Sequence, residues 1–239
     1  MLQPLSGFTG YTIHATDGIL GKVEEFYFDD VSWAIRYMIV KTGGWLNHRS
    51  VLISVVALGK PDWMTQTFPV NLSCEQVRNS PDIDTESPVR RHHEIALHNH
   101  YQWPFYWDST FPDTYGLPTI HRDEEFTGNM AMNGESTGDP HLQSTRFMLG
   151  NHIRTTDGDI GHVDDFIVDT ESWTLDDLIV ATGVWHFGKK VLIPMNLIRS
   201  INDVDQLVYL DCSREDIRNH HEFDPLLDVM VQEEPWIHA

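Results

Sequence analysis

The chain has 239 residues, of which 41% are hydrophobic and 11% aromatic, and its formal charge is -20. The composition is that of a globular protein and excludes a fibre or a wholly disordered chain. The acidity argues against nucleic acid and anionic membrane surfaces, since the densest basic patches, Arg90–Arg91 and Lys189–Lys190, are only pairs.

Taken from the N-terminus, MLQPLSGFTG lacks a basic region and a long apolar core, so no secretory signal is expected. No stretch approaches the roughly 18 apolar residues of a membrane-spanning helix, and the expected location is the cytoplasm. The organising feature is internal similarity at an offset of 140 positions. GYTIHATDGILGKVEEFYFDDVSW, starting at Gly10, falls without a gap on GNHIRTTDGDIGHVDDFIVDTESW, starting at Gly150. A gapless match over about 75 positions points to two copies of one unit.

Each copy reads as mostly β. Asp17-Gly18 and Asp157-Gly158 mark hairpin turns. Gly21 and Gly161 follow, at a bend or bulge where a side chain would obstruct. In VEEFYFDD, Val23 and Phe26 are three apart but Phe26 and Phe28 two apart, so strict alternation cannot place all three on one face. The same parity break recurs at Val163, Phe166 and Val168, and a bulge would resolve it. WAIRYMIVK and WTLDDLIVA supply the next strand, VLIS and VLIP another, and TFPVNL and LVYLDC the last, with Pro69 demoting that strand to an edge in copy one. Each copy closes with a short helix: Ser73 with Gln76 fits a capping box, and Ser213 with Asp216 a weaker variant. Five or six short strands in so short a unit predict a small closed barrel, since an open sheet would leave exposed edges.

The ordered set G-x-x-I-x-x-x-D-G-x-x-G-x-V-x-x-F-x-x-D, I-V-K-T-G-G and V-L-I, matched in copy two by D-G-D-I-G-H-V-D-D-F-I-V-D, L-I-V-A-T-G and V-L-I-P, resembles the PRC-barrel family. The resemblance implies two small SH3-like β-barrels, and assembly or docking rather than catalysis. The expected fold is mainly all-β: one barrel domain at 1–84, an aromatic, histidine-rich linker at 85–147, a second barrel domain at 148–224 and a tail at 225–239. The family includes the cytoplasmic domain of the photosynthetic reaction-centre H subunit and the C-terminal domain of a ribosome-maturation factor. This chain lacks the former's membrane helix and the latter's partner domain.

The linker holds His92, His93, His98 and His100 within nine residues. Imidazoles bind zinc, copper and nickel. However, Leu97 stands where an H-E-x-x-H motif needs its second histidine, so the set reads as a polar segment and remains a candidate metal site. Tyr101, Trp103, Phe105, Tyr106 and Trp107 follow, with Phe111 beyond and Pro104 and Pro112 interrupting. So much aromatic surface either packs on a barrel or forms an interaction surface for a partner or a second copy. Residues 123–140, rich in Gly, Asn, Ser and acids, read as a flexible connector.

Other constellations read as structural. Glu24-Glu25 and Asp164-Asp165 are adjacent on a strand and face opposite ways, which does not make a proton-sharing dyad. Asp29 and Asp169 end strands before turns. Trp33, Trp45, Trp173 and Trp185 are expected in cores or at barrel ends. Cys74 and Cys212 are too few for a disulfide framework and do not align in the repeat. No nucleotide loop or nucleophile elbow is present, and no cofactor is expected. The resulting expectation is a non-catalytic cytoplasmic scaffold or adaptor, with homo-oligomer formation open. The alternatives are a metal-binding or metal-sensing protein using the linker histidines, and an accessory subunit of a photosynthetic or other membrane complex.

Overall fold

A computed structural model describes residues 1–83, 89–107, 142–183 and 189–224. The described elements, in chain order, begin with β1 (Leu2–Pro4), β2 (Thr12–Ala15), β3 (Gly18–Asp29), β4 (Ile35–Thr42), β5 (Ser50–Ser54) and β6 (Thr67–Pro69). Helices α1 (Cys74–Arg78) and α2 (Arg91–Tyr101) follow, then β7 (Leu142–Ser144) and α3 (Thr145–Met148). The C-terminal part comprises β8 (His152–Thr155), β9 (Gly158–Asp169), β10 (Thr174–Thr182), β11 (Lys189–Pro194), β12 (Ile198–Asn202), β13 (Leu207–Leu210) and α4 (Arg214–Asn219). The fold is mainly β, with two sheets, as the patterning predicts.

The chain divides into two compact units. The first comprises Phe8–Met148 with Ser172–Thr174; the second comprises Met1–Gly7, Leu149–Glu171 and the chain from Leu175 onward. In the first unit the sheet runs β5-β4-β3-β2-β6, and the parallel β2–β6 pair sets Thr12 against Thr67 and His14 against Pro69. A bridge between Leu58 and Val70 ties the end of the β5 arm to the β6 arm. In the second unit the order is β11-β10-β9-β8-β13-β12, and a single 3-10 turn, Met195–Leu197, connects β11 to β12. Strand β6 is only three residues long and ends at Pro69, which has no N–H to donate; the Val70 amide beyond it still bonds the His14 carbonyl.

Bulges resolve the parity break. In the β3–β4 ladder, Val23 opposes Val40 but Glu25 opposes Ile39, so Glu24 is the extra residue. Val23, Phe26 and Phe28 are thereby all buried, as are Val163, Phe166 and Val168. The β3–β4 ladder shifts again between Tyr27 and Phe28, and the β2–β3 hairpin shifts between Ile13 and His14, opposite Gly21 and Ile19. A Cβ on Gly21 would lie 2.1 Å from the Lys41 carbonyl oxygen, and one on Gly161 would lie 2.0 Å from that of Ala181. These glycines permit a backbone approach that no side chain allows.

The twelve-residue strands β3 and β9 exceed their hairpin partners, and each is finished by a segment from the other half of the sequence. Tyr27, Phe28 and Asp29 pair with Ser144, Gln143 and Leu142. Ile167, Val168 and Asp169 pair with Pro4, Gln3 and Leu2. Residues 1–7 thus belong to the second unit, and residues 142–148 to the first. Sequence boundaries drawn at positions 84 and 147 do not reveal this, because three-residue strands carry almost no periodic signal. Trp173 also belongs to the first unit, stacked on Phe26 at 6.1 Å and beside Phe8 and Phe68. Its carbonyl accepts a bond from the Ile35 amide at 2.7 Å.

The exchanged segments also cap a buried carboxylate in each unit. Ser144 donates from its hydroxyl to Glu25. Ser6 donates to Asp165 from its hydroxyl and, at 3.1 Å, from its backbone amide. Glu24 and Asp164 instead bond Ser50 and Lys190. Both closing helices have complete capping boxes, including the one formed with Asp216.

Two measurements follow. Gly21→Ala and Gly161→Ala are each expected to cost at least about 2 kcal/mol in denaturant unfolding, because the obstacle is backbone. Gly7→Ala, with nothing within 4 Å of its Cβ, serves as a near-neutral control. Burial raises the carboxyl pKa of both Glu25 and Asp165, against the pull of their serine hydroxyls. A raised folded pKa favours folding fully below the unfolded value and loses that contribution as pH rises through the folded value. The melting temperature of wild type relative to Asp165→Asn should therefore rise as pH falls from 7 towards 4. A constant difference would contradict the burial assignment.

Candidate functional site

The strongest concentration of chemistry lies on α2 and the turn after it, all within the first unit. Arg91, Glu94 and His98 are three and four residues apart, so they share one helical face. That face packs on β4 and is closed by residues 103–107. Glu94, His98, Arg36 and Tyr37 are all buried. The Tyr37 hydroxyl lies 2.9 Å from Glu94 Oε1 and 2.8 Å from His98 Nε2. His98 Nδ1 lies 2.8 Å from the Pro104 carbonyl oxygen. The Tyr106 hydroxyl donates to Glu94 Oε1 at 2.7 Å, and Arg91 pairs with Glu94 Oε2 at 2.8 Å. Arg36 stands over the Tyr106 ring at 4.2 Å and donates to Ser32 Oγ, which in turn bonds Asp29.

The electrostatics follow from burial. Desolvation, with Arg91 and Arg36 adding like charge, pulls the His98 imidazole down to about 4, against the Pro104 carbonyl. Burial, reinforced by Glu94, raises the Tyr37 and Tyr106 phenols well above their ordinary value. Desolvation lowers the Arg36 guanidinium.

The structure brings only one of the four linker histidines into this network. The His92 and His93 rings contact each other at 4.0 Å, and His100 Nε2 bonds the Gln76 carbonyl oxygen. Both nitrogens of His98 are engaged within the fold. Among the described residues, no three His, Cys, Asp or Glu side chains form a group able to hold a metal.

The aromatic residues form a shell around His98. Phe105 stacks on it at 5.6 Å, and Trp103, Tyr106 and Trp107 lie at 5.8, 6.1 and 5.1 Å. Tyr101 stacks on Trp103 at 4.2 Å, and Arg91 lies 4.0 Å over Trp107. Helix α2 ends at Tyr101, with Gln102 left-handed as its cap, two residues before Pro104. Phe111, the connector at 123–140 and Trp185 lie outside the described residues. Trp33 stacks on Phe28, and the Trp45 indole donates to the Leu20 carbonyl. Both cysteines are free and half-buried. A cleft of about 490 Å³ is lined by Thr16, Asn71, Gln76, Tyr101, Gln102 and Trp103, among others, without a carboxylate, imidazole or cation.

Sequence reading missed Arg36, Tyr37 and Glu94 as parts of one cluster. The signal was the Arg91, Glu94, His98 spacing, which marks a helical face; nothing local points to Tyr37, 61 positions before His98.

A family model described as PRC-barrel domain matches residues 148–217. That stretch lies in the second unit. None of the curated proteins matches the chain. No helix among the described residues is long and apolar enough to cross a membrane.

Because His98 has both ring nitrogens occupied, Zn²⁺ added to protein free of a histidine tag should leave the melting temperature unchanged. A stoichiometric rise in melting, lost in His98→Gln, would contradict this. Replacing His98 by Leu should cost about 2–4 kcal/mol in denaturant unfolding, since Tyr37 and the Pro104 carbonyl each lose a buried partner.

Proposed function

We propose that this chain is a non-catalytic scaffold that mediates protein–protein assembly through tandem PRC-barrel domains. The observation that carries the reading is that the buried polar cluster is directed inward. Glu94, His98, Tyr37 and Tyr106 bond one another, and the aromatic shell surrounds them, so their chemistry is spent on holding α2 to the barrel. The family match in the second unit, with the strand spans and the hairpin register shift after Ile13 and after Ile153 found 140 positions apart, supports the tandem reading. The half-buried aromatics Trp103, Phe105 and Trp107, with Tyr101 and Tyr106 behind them, are the proposed interaction residues, since exposed aromatic edges anchor interfaces.

Affinity purification of the full chain from its native cell should recover a defined partner in fixed ratio. Phe105→Ala with Trp107→Ala should weaken that complex at least tenfold without unfolding the barrels. Reproducible turnover of a small molecule, abolished by His98→Gln with the fold intact, would overturn the scaffold reading.

A further inference from the structure

Three contacts run in line through the buried cluster: Pro104 carbonyl oxygen to His98 Nδ1, His98 Nε2 to Tyr37 Oη, and Tyr37 Oη to Glu94 Oε1, at 2.8, 2.8 and 2.9 Å. Each needs one proton between its heavy atoms. A carbonyl accepts only, so Nδ1 must carry a hydrogen. A neutral imidazole then has no hydrogen for Nε2, and Tyr37 must give its single proton to His98. Nothing then remains for the contact between Tyr37 and Glu94 if that carboxylate is ionised. Neutral histidine and ionised glutamate supply two protons for three contacts. Tyr106 does not repair the deficit, because its proton is used on its own contact with Glu94.

We infer that the Glu94–Tyr37–His98 chain is a proton-binding site that holds one shared proton at neutral pH, on either the carboxyl or the imidazole, and thereby latches α2 onto the first barrel. With the proton on Glu94, the donors run Glu94 to Tyr37 to His98 to the Pro104 carbonyl. With it on His98, the Tyr37 hydroxyl turns round and donates to the carboxylate. Both arrangements satisfy every contact, and Tyr37 is the relay between them. Arg91, 2.8 Å from Glu94 Oε2, draws the proton towards His98. Burial of the imidazole, with Arg91 and Arg36 nearby, drives it back towards Glu94. Asp29, Tyr37 and Tyr106 are the other charged or titratable groups acting on Arg36, the β4 member of the cluster. Losing the proton leaves two lone pairs face to face in a buried site, which favours release of α2 and residues 103–107.

The linkage has a distinctive sign. In the unfolded chain, glutamate titrates near 4.3 and histidine near 6.5. Between those values the folded and unfolded states each hold one proton on the pair, so the pair contributes no pH dependence. Above about 6.5 the unfolded pair holds none and the folded pair one, so stability falls as pH rises. Neutral His98 beside ionised Glu94 gives the reverse: stability falls on acidification from 6.5 and is flat above it.

The test compares full-length wild type with Glu94→Gln. The amide oxygen can accept from Arg91, and the two amide hydrogens can go to Tyr37 and to the Tyr106 oxygen, whose own hydrogen turns away, so the chain is completed without an extra proton. From pH 6.5 to 8.5 the folding equilibrium constant of wild type, relative to Glu94→Gln, should fall about tenfold per pH unit until the proton is lost. Protease cleavage within 89–107 should rise over the same range in wild type only. Equal slopes, or a relative loss confined to acid, would overturn the proposal. Should the variant not fold, protein with Glu94 intact decides at pH 7.5, by ¹⁵N resonances of the His98 ring in wild type together with infrared detection of glutamic acid labelled at the carboxyl in Glu25→Gln, which removes the other buried glutamate. A protonated carboxyl or a doubly protonated imidazole supports the shared proton; neutral His98 with every glutamate ionised excludes it.

Discussion

The carbonyl oxygen of Lys41 stands where a Cβ on residue 21 would lie, and the Ala181 carbonyl stands in the same relation to residue 161. That approach sets the course of β3 and β9. It lets one strand serve a hairpin at its start and a long antiparallel ladder beyond it, with the bulge at Glu24 changing which face is buried. The continuing strand then has an open edge at its far end. Unpaired edges template unwanted association. Here the edge of β3 is covered by Leu142–Ser144, and that of β9 by Leu2–Pro4. Since each covering segment precedes the other copy in sequence or ends the linker, neither unit is complete within its own repeat.

This arrangement gives the buried carboxylates a role. Glu25 and Asp165 sit at the start of the covered stretch, and each receives a serine hydroxyl from the segment that covers it. A buried acid is costly unless it is bonded. These two bonds therefore tie the fit of the covering segment to the satisfaction of a polar group, which fixes its register. The linker is handled in the same way. Helix α2 has little amphipathic character, because its inward face holds Arg91, Glu94 and His98 rather than aliphatic residues alone. It is held by a hydrogen-bonded cluster and an aromatic shell instead of by area.

Much of the fold was legible in the sequence because its determinants are local. The hairpin glycines, the parity break at Val23, Phe26 and Phe28, and the capping serines all act within a few residues. Pro69 marks the end of the short strand β6 for the same reason. Less was legible where partners are distant. Three-residue strands such as Leu2–Pro4 carry no period to detect, and their partners lie more than a hundred positions away. Trp173 reads as a core residue of its own repeat, yet it packs against Phe8, Phe26 and Phe68. The linker histidines read as one candidate group because they are close in sequence. The helix separates them, and only His98 meets a deep partner, Tyr37 on β4. The buried position of Glu94 was hidden because a glutamate in a polar stretch is ordinarily solvated.

Each long strand is finished by a segment from the opposite half of the sequence. Amide hydrogen exchange tests this most directly, comparing the full chain with a chain lacking residues 1–7. The prediction is that Ile167–Asp169 lose protection in the shortened chain while Tyr27–Asp29 keep theirs. Undiminished protection at 167–169, or equal loss at both strands, would contradict it.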